Sequence, residues 1–369
     1  MVIERIELRV LRLPLVRFFE TSFGRVDDRT FMLVRLDGGG LTAWGECVAD
    51  QDPYYGPETV ETAWHITATF LAPLVLGVRF AHPRDVVPAL RRVRGHRMAK
   101  AAVEMAAWDL HARQEGTPLA AALGGTRTRV ASGVSIGIQD SLEQLVDRVG
   151  AELAEGYQRI KIKVKPGWDL AAAAAVRERF DRVPLMVDAN AAYTLDDAEH
   201  LAGFDAFGLM MIEQPLDEDD IRDHAALQRR LTTPVCLDES IQSVRRGGEA
   251  IDAGACRIIN IKPGRLGGYG ESIRLHDLCA SRGVPVWHGG MLESGIGRAH
   301  NLHLSSLPNF SLPGDVAASR RYYEPDLIDP PIEVAPDGTI PVPDGPGIGV
   351  RVVEERVERA TIRRLELKP

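Results

Sequence analysis

Lys163, Asp188, Glu213 and Asp238 stand at a constant step of 25 residues, and Lys262 follows 24 residues later. Each closes a short apolar run: Arg159-Ile-Lys-Ile-Lys163, Val183-Pro-Leu-Met-Val-Asp188, Gly208-Leu-Met-Met-Ile-Glu213, Pro234-Val-Cys-Leu-Asp238 and Cys256-Arg-Ile-Ile-Asn-Ile-Lys262. Three carboxylates at neighbouring strand ends repel one another unless a cation lies among them, so the set points to a metal. Oxygen donors without His or Cys suit Mg²⁺, with Mn²⁺ as a substitute. Lys161 and Lys163 are two apart on a strand and share a face. Their mutual repulsion, together with the metal, is expected to depress a lysine pKa to where it takes and returns a proton near neutral pH. Lys262 lies across from them, so a substrate in between has a base on either side. Arg265 is expected to lower the Lys262 pKa further by like charge, the alternative being a solvated Arg in a Pro-Gly turn. A hydrogen α to a carboxylate is very weakly acidic, and its removal concentrates negative charge that a cation and ammonium groups stabilise. Proton abstraction next to a carboxylate is the chemistry this set fits.

Equal spacing at equal register requires a repeating strand unit that brings every strand end to one rim. From Leu123-Gly-Gly125 onward, short apolar strands alternate with amphipathic segments such as 141–155 and 168–180, the pattern of βαβ units. Strand ends fall near Ser135, Lys163, Asp188, Glu213, Asp238, Lys262, His288 and Asp315, which predicts an α/β fold built as an eight-stranded (β/α)₈ barrel over residues 126–320. A doubly wound sheet, which confines its ligand to one crevice, does not explain charged ends on every strand from the second to the sixth. Residues 1–125 predict an α+β capping domain, with strands at 3–13 and 30–37 and helices at 58–72, 83–93 and 97–115. Two aromatic segments, 17–24 and 48–56, are expected to be loops that act as lids. Residues 321–369, rich in Pro/Gly turns at first, are expected to return to the capping domain.

The chain of 369 residues is 45% hydrophobic and 26% charged, with a net charge of −8. That balance argues against a nucleic-acid surface and favours a small molecule as partner, a carboxylate by the chemistry of the set above. Cys47, Cys236, Cys256 and Cys279 match no disulfide framework or zinc spacing and read as reduced, buried thiols. The N-terminal run 3–11 alternates like a strand and lacks a basic and apolar leader, and the most apolar stretch, 70–78, is broken by Pro73. The expectation is a cytoplasmic enzyme with no membrane partner.

At Lys161-x-Lys163, Asp188, Glu213, Asp238 and Lys262 the chain resembles the enolase superfamily, for which a Lys base working with Mg²⁺ is already documented, and within it the muconate-lactonizing subgroup. The segments Arg159–Trp168, Gly289-Gly-Met-Leu-Glu-Ser-Gly295, Gly297-Arg-Ala-His-Asn-Leu302 and Leu312-Pro-Gly-Asp-Val316 resemble o-succinylbenzoate synthases that also racemise N-acylamino acids, notably N-succinylamino acids. The resemblance implies Asp188, Glu213 and Asp238 as Mg²⁺ ligands, Lys163 and Lys262 as the acid/base pair, and Lys161 as an aid to charge stabilisation. It also implies a pocket lined by Ser135, Asn190, Gly290, Met291, Leu292 and Tyr322, closed by Phe19, Phe23 and Tyr55, with Arg265 tilting activity toward racemisation. Such relatives commonly assemble into dimers or octamers, so the resemblance implies a homo-oligomer. Dipeptide epimerases carry Asp-x-Asp at the eighth strand, where this chain has Asp315-Val316-Ala317. Mandelate racemase relatives use a seventh-strand His, but here Lys262 occupies the sixth strand, so His288 reads as a packing or hydrogen-bonding residue. Other acyl-amino-acid or dipeptide epimerases, a muconate-type cycloisomerase and a non-catalytic metal-binding barrel are the alternative readings.

Overall fold

The computed structural model describes residues 1–369. Its first three strands, Arg5–Thr21, Gly24–Gly38 and Leu41–Cys47, form one antiparallel sheet that the C-terminal strand Thr361–Leu367 completes along Arg5–Thr21. Side chains alternate faces along a strand. Even-numbered Ile6, Leu8, Val10, Met32, Val34 and Leu36 therefore pack together with the capping helices. Odd-numbered Leu11, Leu15, Phe19, Phe31 and Leu33 join the apolar core of the barrel. Helix Arg97–Gln114 lies against this sheet so closely that a β-carbon on Gly45 would sit 2.1 Å from the Ala102 carbonyl oxygen.

Three expectations need correction here. Residues 17–24 are not a loose loop: the first two strands run on as a hairpin, pairing Phe19 with Val26 and Thr21 with Gly24. The alternation that buries Leu15 and Phe19 simply continues past Pro14, with a register shift between Pro14 and Phe19. The hairpin is fastened to the barrel. Ile138 N–H donates to Glu20 O at 2.9 Å, Lys165 Nζ lies 3.1 Å from Glu20 Oε1, and Gly137 admits this approach because its β-carbon would be 2.8 Å from Glu20 N. The expected helix at 58–72 is split into Val60–Ile66 and a π-helical turn, Thr67–Leu71, and the one at 83–93 shrinks to Val86–Leu90 after a 3₁₀ turn.

Seven parallel strands follow in sequence order: Gly133–Ile136, Arg159–Lys163, Leu185–Asp188, Ile212–Glu213, Val235–Leu237, Ile258–Ile261 and Val286–His288. The eighth stave is irregular, yet it closes the ring: Gly133 N–H donates to Gly314 O at 2.7 Å and Asp315 N–H to His288 O at 2.8 Å. Pro313 cannot donate to a ladder, which accounts for the broken strand. Met186, Met211, Cys236, Ile258 and Trp287 fill the interior. All four cysteines are buried and unpaired with one another, and no helix is long and apolar enough to cross a membrane.

Helix Gly295–Ser305, which follows the seventh strand, is capped locally by Ser294, whose hydroxyl accepts from Ile296 N at 3.3 Å, and the rest of its first turn is satisfied from elsewhere. Glu46 at the end of the capping sheet accepts from Ser294 N at 3.0 Å, Ser294 Oγ at 2.5 Å and Gly297 N at 3.1 Å. Asp326 accepts from Gly295 N at 2.8 Å. These bonds satisfy donors that a helix start leaves without partners.

Candidate active site

Strand pairing sets Lys163 beside Asp188 and Asp188 beside Glu213, so the constant step of 25 becomes a row across the rim. Asp238 and Lys262 each fall just past the end of the next strands. All five side chains are buried. Lys161 Nζ contacts Glu213 Oε2 at 2.9 Å, Asp188 Oδ2 at 3.2 Å and Asp315 Oδ2 at 2.6 Å. Lys163 Nζ donates to Asp188 Oδ2 at 2.6 Å and to Asn190 Oδ1 at 2.7 Å. Across the barrel, Lys262 Nζ donates to Asp238 Oδ2 at 2.7 Å and to the Tyr55 hydroxyl at 3.0 Å, with the Tyr55 ring 4.6 Å beneath it.

The cavity above these groups has a volume of about 380 Å³. Lys163, Lys262, Asn190, Phe19, Phe23, Tyr55, Gly290, Met291 and Leu292 all line it. Ser135, Lys161 and Tyr322 do not reach its wall. Lys161 stays below among the carboxylates and 4.9 Å from the Trp287 ring, and Tyr322 stands edge-on behind Phe19 with ring centroids 6.3 Å apart. Ser135 is buried, its hydroxyl without a partner.

The carboxylates around Lys161 and Lys262 oppose the expected depression of a lysine pKa. Burial lowers the Lys161 pKa, but Asp315, Glu213 and Asp188 together outweigh it and raise it above the ordinary lysine value. Burial likewise lowers Lys262, and Tyr55, Glu239 and Glu213 overcome it to give a net rise. Arg265 does not act mainly on Lys262. It is buried, pairs with Asp238, and donates to Ile241 O at 2.7 Å and Asn260 O at 2.5 Å, so its charge is spent on the carboxylate the two cations share.

As the side chains stand, no group of three or more His, Cys, Asp or Glu converges closely enough to coordinate one ion. Asp188, Glu213 and Asp238 are each turned onto an ammonium or guanidinium group. The donor set nonetheless fits a hard divalent cation. Burial raises the Glu213 pKa and its neighbour Asp188 raises it further, while burial raises Asp188 but Lys163 and Lys161 pull it well below the usual carboxylate range. Two adjacent buried acids whose like charges strain against each other are relieved by a shared cation.

Several contributors were not picked out from sequence. Asn260 donates to Glu213 Oε1 at 2.6 Å; it sits two residues before Lys262, on the same face of the strand, which was the available signal. Glu239 follows Asp238 directly, is buried, and has burial, then Asp188, pushing its pKa up to about 7. Arg159 reaches Asp315 at 2.7 Å and lies 4.9 Å from Trp287; nothing in the sequence links positions so far apart. Gly289 gives these groups room, because a β-carbon there would fall 2.3 Å from Asn260 Oδ1 and 2.5 Å from Lys262 Cε. His288 is off the cavity wall, stacked 6.0 Å from Phe310, and burial holds its pKa down to about 4, so it is a neutral packing residue.

Residues 5–124 match the Mandelate racemase / muconate lactonizing enzyme N-terminal domain family, and residues 144–356 match the Enolase C-terminal domain-like family. Over 360 residues the chain is 52% identical to an o-succinylbenzoate synthase of Geobacillus kaustophilus, covering 97% of this chain and 96% of that protein. It is 50% identical over 357 residues to an N-succinylamino acid racemase of Amycolatopsis sp, covering 96% of each. The crystal structure of an enolase superfamily member from Listeria innocua Clip11262 superposes with a TM-score of 0.95 at 37% identity, covering 100% of this chain and 99% of that one.

Proposed function

From the premise that this chain belongs to the enolase superfamily, we propose that it is an o-succinylbenzoate synthase that also racemises N-succinylamino acids and related N-acylamino acids. The superfamily works with a divalent metal, and Mg²⁺ is the proposed ion, with Mn²⁺ able to substitute. The carrying observation is that Lys163 and Lys262, from the second and sixth barrel strands, bring their amines to one cavity.

Asp188, Glu213 and Asp238 would hold the ion, which when bound neutralises the charge developing on a substrate carboxylate and takes up acidic charge now spent on the lysines. Lys163 removes the α-hydrogen. In the synthase reaction the same amine then protonates the departing hydroxyl on that face, and Lys262 stands by as a cation. In racemisation Lys163 and Lys262 address opposite faces of one carbon, one taking a proton and the other delivering one. Lys161, held by Asp315 and stacked on Trp287, supplies fixed positive charge from below. Phe19, Tyr55, Met291 and Leu292 enclose the substrate and exclude water.

The eighth strand favours an acylated nitrogen over a free amine. Its carboxylate, Asp315, is already paired with Arg159 at 2.7 Å and Lys161 at 2.6 Å, and Val316 and Ala317 follow. No free acid is left there for a substrate ammonium, which weighs against a dipeptide epimerase. The same reading takes the protein as a cytoplasmic homo-oligomer acting on a small carboxylate, without nucleic-acid or membrane partners; light scattering tests the assembly. Turnover of both substrates with Mg²⁺ tests the function, and inactivity on both rejects it.

A further inference from the structure

We propose that Glu239 is a positioning residue that orients the Asn190 amide and thereby holds Lys163, and not Lys262, in place for proton transfer. The inference rests on the functional reading above.

Asn190 is a junction. Its Oδ1 accepts from Lys163 Nζ at 2.7 Å, its Nδ2 donates to Glu239 Oε1 at 2.8 Å, and its N–H donates to Asp188 Oδ1 at 3.1 Å. Ser22, at the tip of the capping hairpin, donates to its carbonyl at 3.3 Å. The backbone is left-handed at Asn190, φ 44°, and again at Ala191, φ 61°. Two successive residues other than glycine in that region persist only where surrounding contacts enforce them, and such strain gathers at working sites.

The amide can face either way by shape alone, so what fixes it is chemistry. A carboxylate only accepts, and an ammonium only donates. In its ionised form Glu239 therefore demands the NH₂ end and leaves the oxygen for Lys163. With Glu239 removed, the amide is free to flip and present NH₂ to the amine, which cannot accept while protonated. Lys262 has no such contact: its partners are Asp238 and Tyr55. Glu239 makes no other side-chain hydrogen bond, and its Oε2 has no partner although it is buried.

The two lysines address opposite faces, so the inference predicts an asymmetric defect. In D₂O with Mg²⁺, each enantiomer of an N-succinylamino acid loses its α-hydrogen to one lysine and regains deuterium from solvent-exchanged amines. Lys163→Ala identifies the enantiomer that depends on Lys163. The readout is the ratio of exchange rates of the two enantiomers. Asn190→Gly, which deletes the amide while keeping the left-handed backbone, and Glu239→Ala should each shift that ratio about tenfold against the Lys163-dependent enantiomer. The charge of Glu239 also reaches Lys262. Glu239→Gln separates charge from orientation in part, because it is neutral and offers Asn190 either an oxygen or an NH₂ group, so its ratio should fall between those of the unaltered protein and Glu239→Ala. An unchanged ratio in Asn190→Gly, or equal shifts in Glu239→Ala and Glu239→Gln, overturns the inference. So does a shift that disappears as Mg²⁺ is raised, since that marks a role in metal binding. If the unaltered protein exchanges neither enantiomer, the functional reading itself fails and carries this inference with it.

Discussion

Replacing Gly289 with alanine tests whether the seventh strand end was left bare for the sake of Lys262. The backbone there is not left-handed, so alanine is conformationally acceptable and the effect is purely steric. The new β-carbon would begin 2.5 Å from Lys262 Cε and 2.3 Å from Asn260 Oδ1. Carbon atoms settle near 3.5 Å, which drives the lysine side chain away by about 1 Å. A displacement of about 1 Å in a reacting group costs roughly a hundredfold in rate, or about 2.7 kcal/mol of barrier. The atoms that must move are the ends of flexible side chains, so overpacking should cost only about 1–2 kcal/mol of stability. Racemisation of an N-succinylamino acid should therefore fall by about two orders of magnitude while a thermal melt shifts by only a few degrees. Dehydration should suffer less, because Lys262 moves no proton in that reaction. Racemisation within about threefold of the unaltered enzyme, or a loss accompanied by unfolding, would refute the reasoning.

Arg265→Gln should reduce racemisation by about tenfold and dehydration by only a few fold, because Asp238 is then left wholly to Lys262; equal losses contradict this. Burial pushes the Glu46 pKa from 4.5 up to about 8. A raised pKa contributes stability that is complete below about pH 4.5 and lost as pH rises through about 8, so Glu46→Gln should flatten the dependence of melting temperature on pH over that window, by close to one proton. Gly137→Ala, whose β-carbon would be 2.8 Å from Glu20 N, should loosen the hairpin and raise KM with little change in kcat; a fall in kcat at constant KM would point elsewhere. Chelation should abolish both activities, and Mg²⁺ should restore them; activity that survives exhaustive chelation contradicts the assignment of Asp188, Glu213 and Asp238.

The row Lys163, Asp188, Glu213 and Asp238 was legible because a (β/α) unit of fixed length converts a linear period into adjacency. The shared face of Lys161 and Lys163 was legible from the alternation of side chains along a strand, yet their fates differ: one amine reaches the cavity and the other is trapped by Asp315 from a stave 154 residues downstream of Lys161. No local pattern encodes that pairing, nor that of Arg159 with Asp315. The carboxylates that raise Lys161 and Lys262 come from other staves and are not revealed by weighing repulsion between near neighbours in sequence. The hairpin at 17–24 was hidden by its aromatic and glycine content, which reads as a loop until the partner strand is seen to bury Phe19. Ser135 and Tyr322, placed on the pocket wall by resemblance, are not among the residues that line the cavity, and Tyr322 stands edge-on to Phe19.

The seam at Glu46 carries a lesson about ancestry and engineering. A helix late in the chain caps only part of its own first turn, with Ser294, and borrows acids from sequence 248 residues upstream and 31 downstream. Grafting a foreign cap onto this barrel would strand those amides next to the wall formed by Met291 and Leu292. New specificities are therefore more readily reached by editing residues within the existing cap than by exchanging it whole.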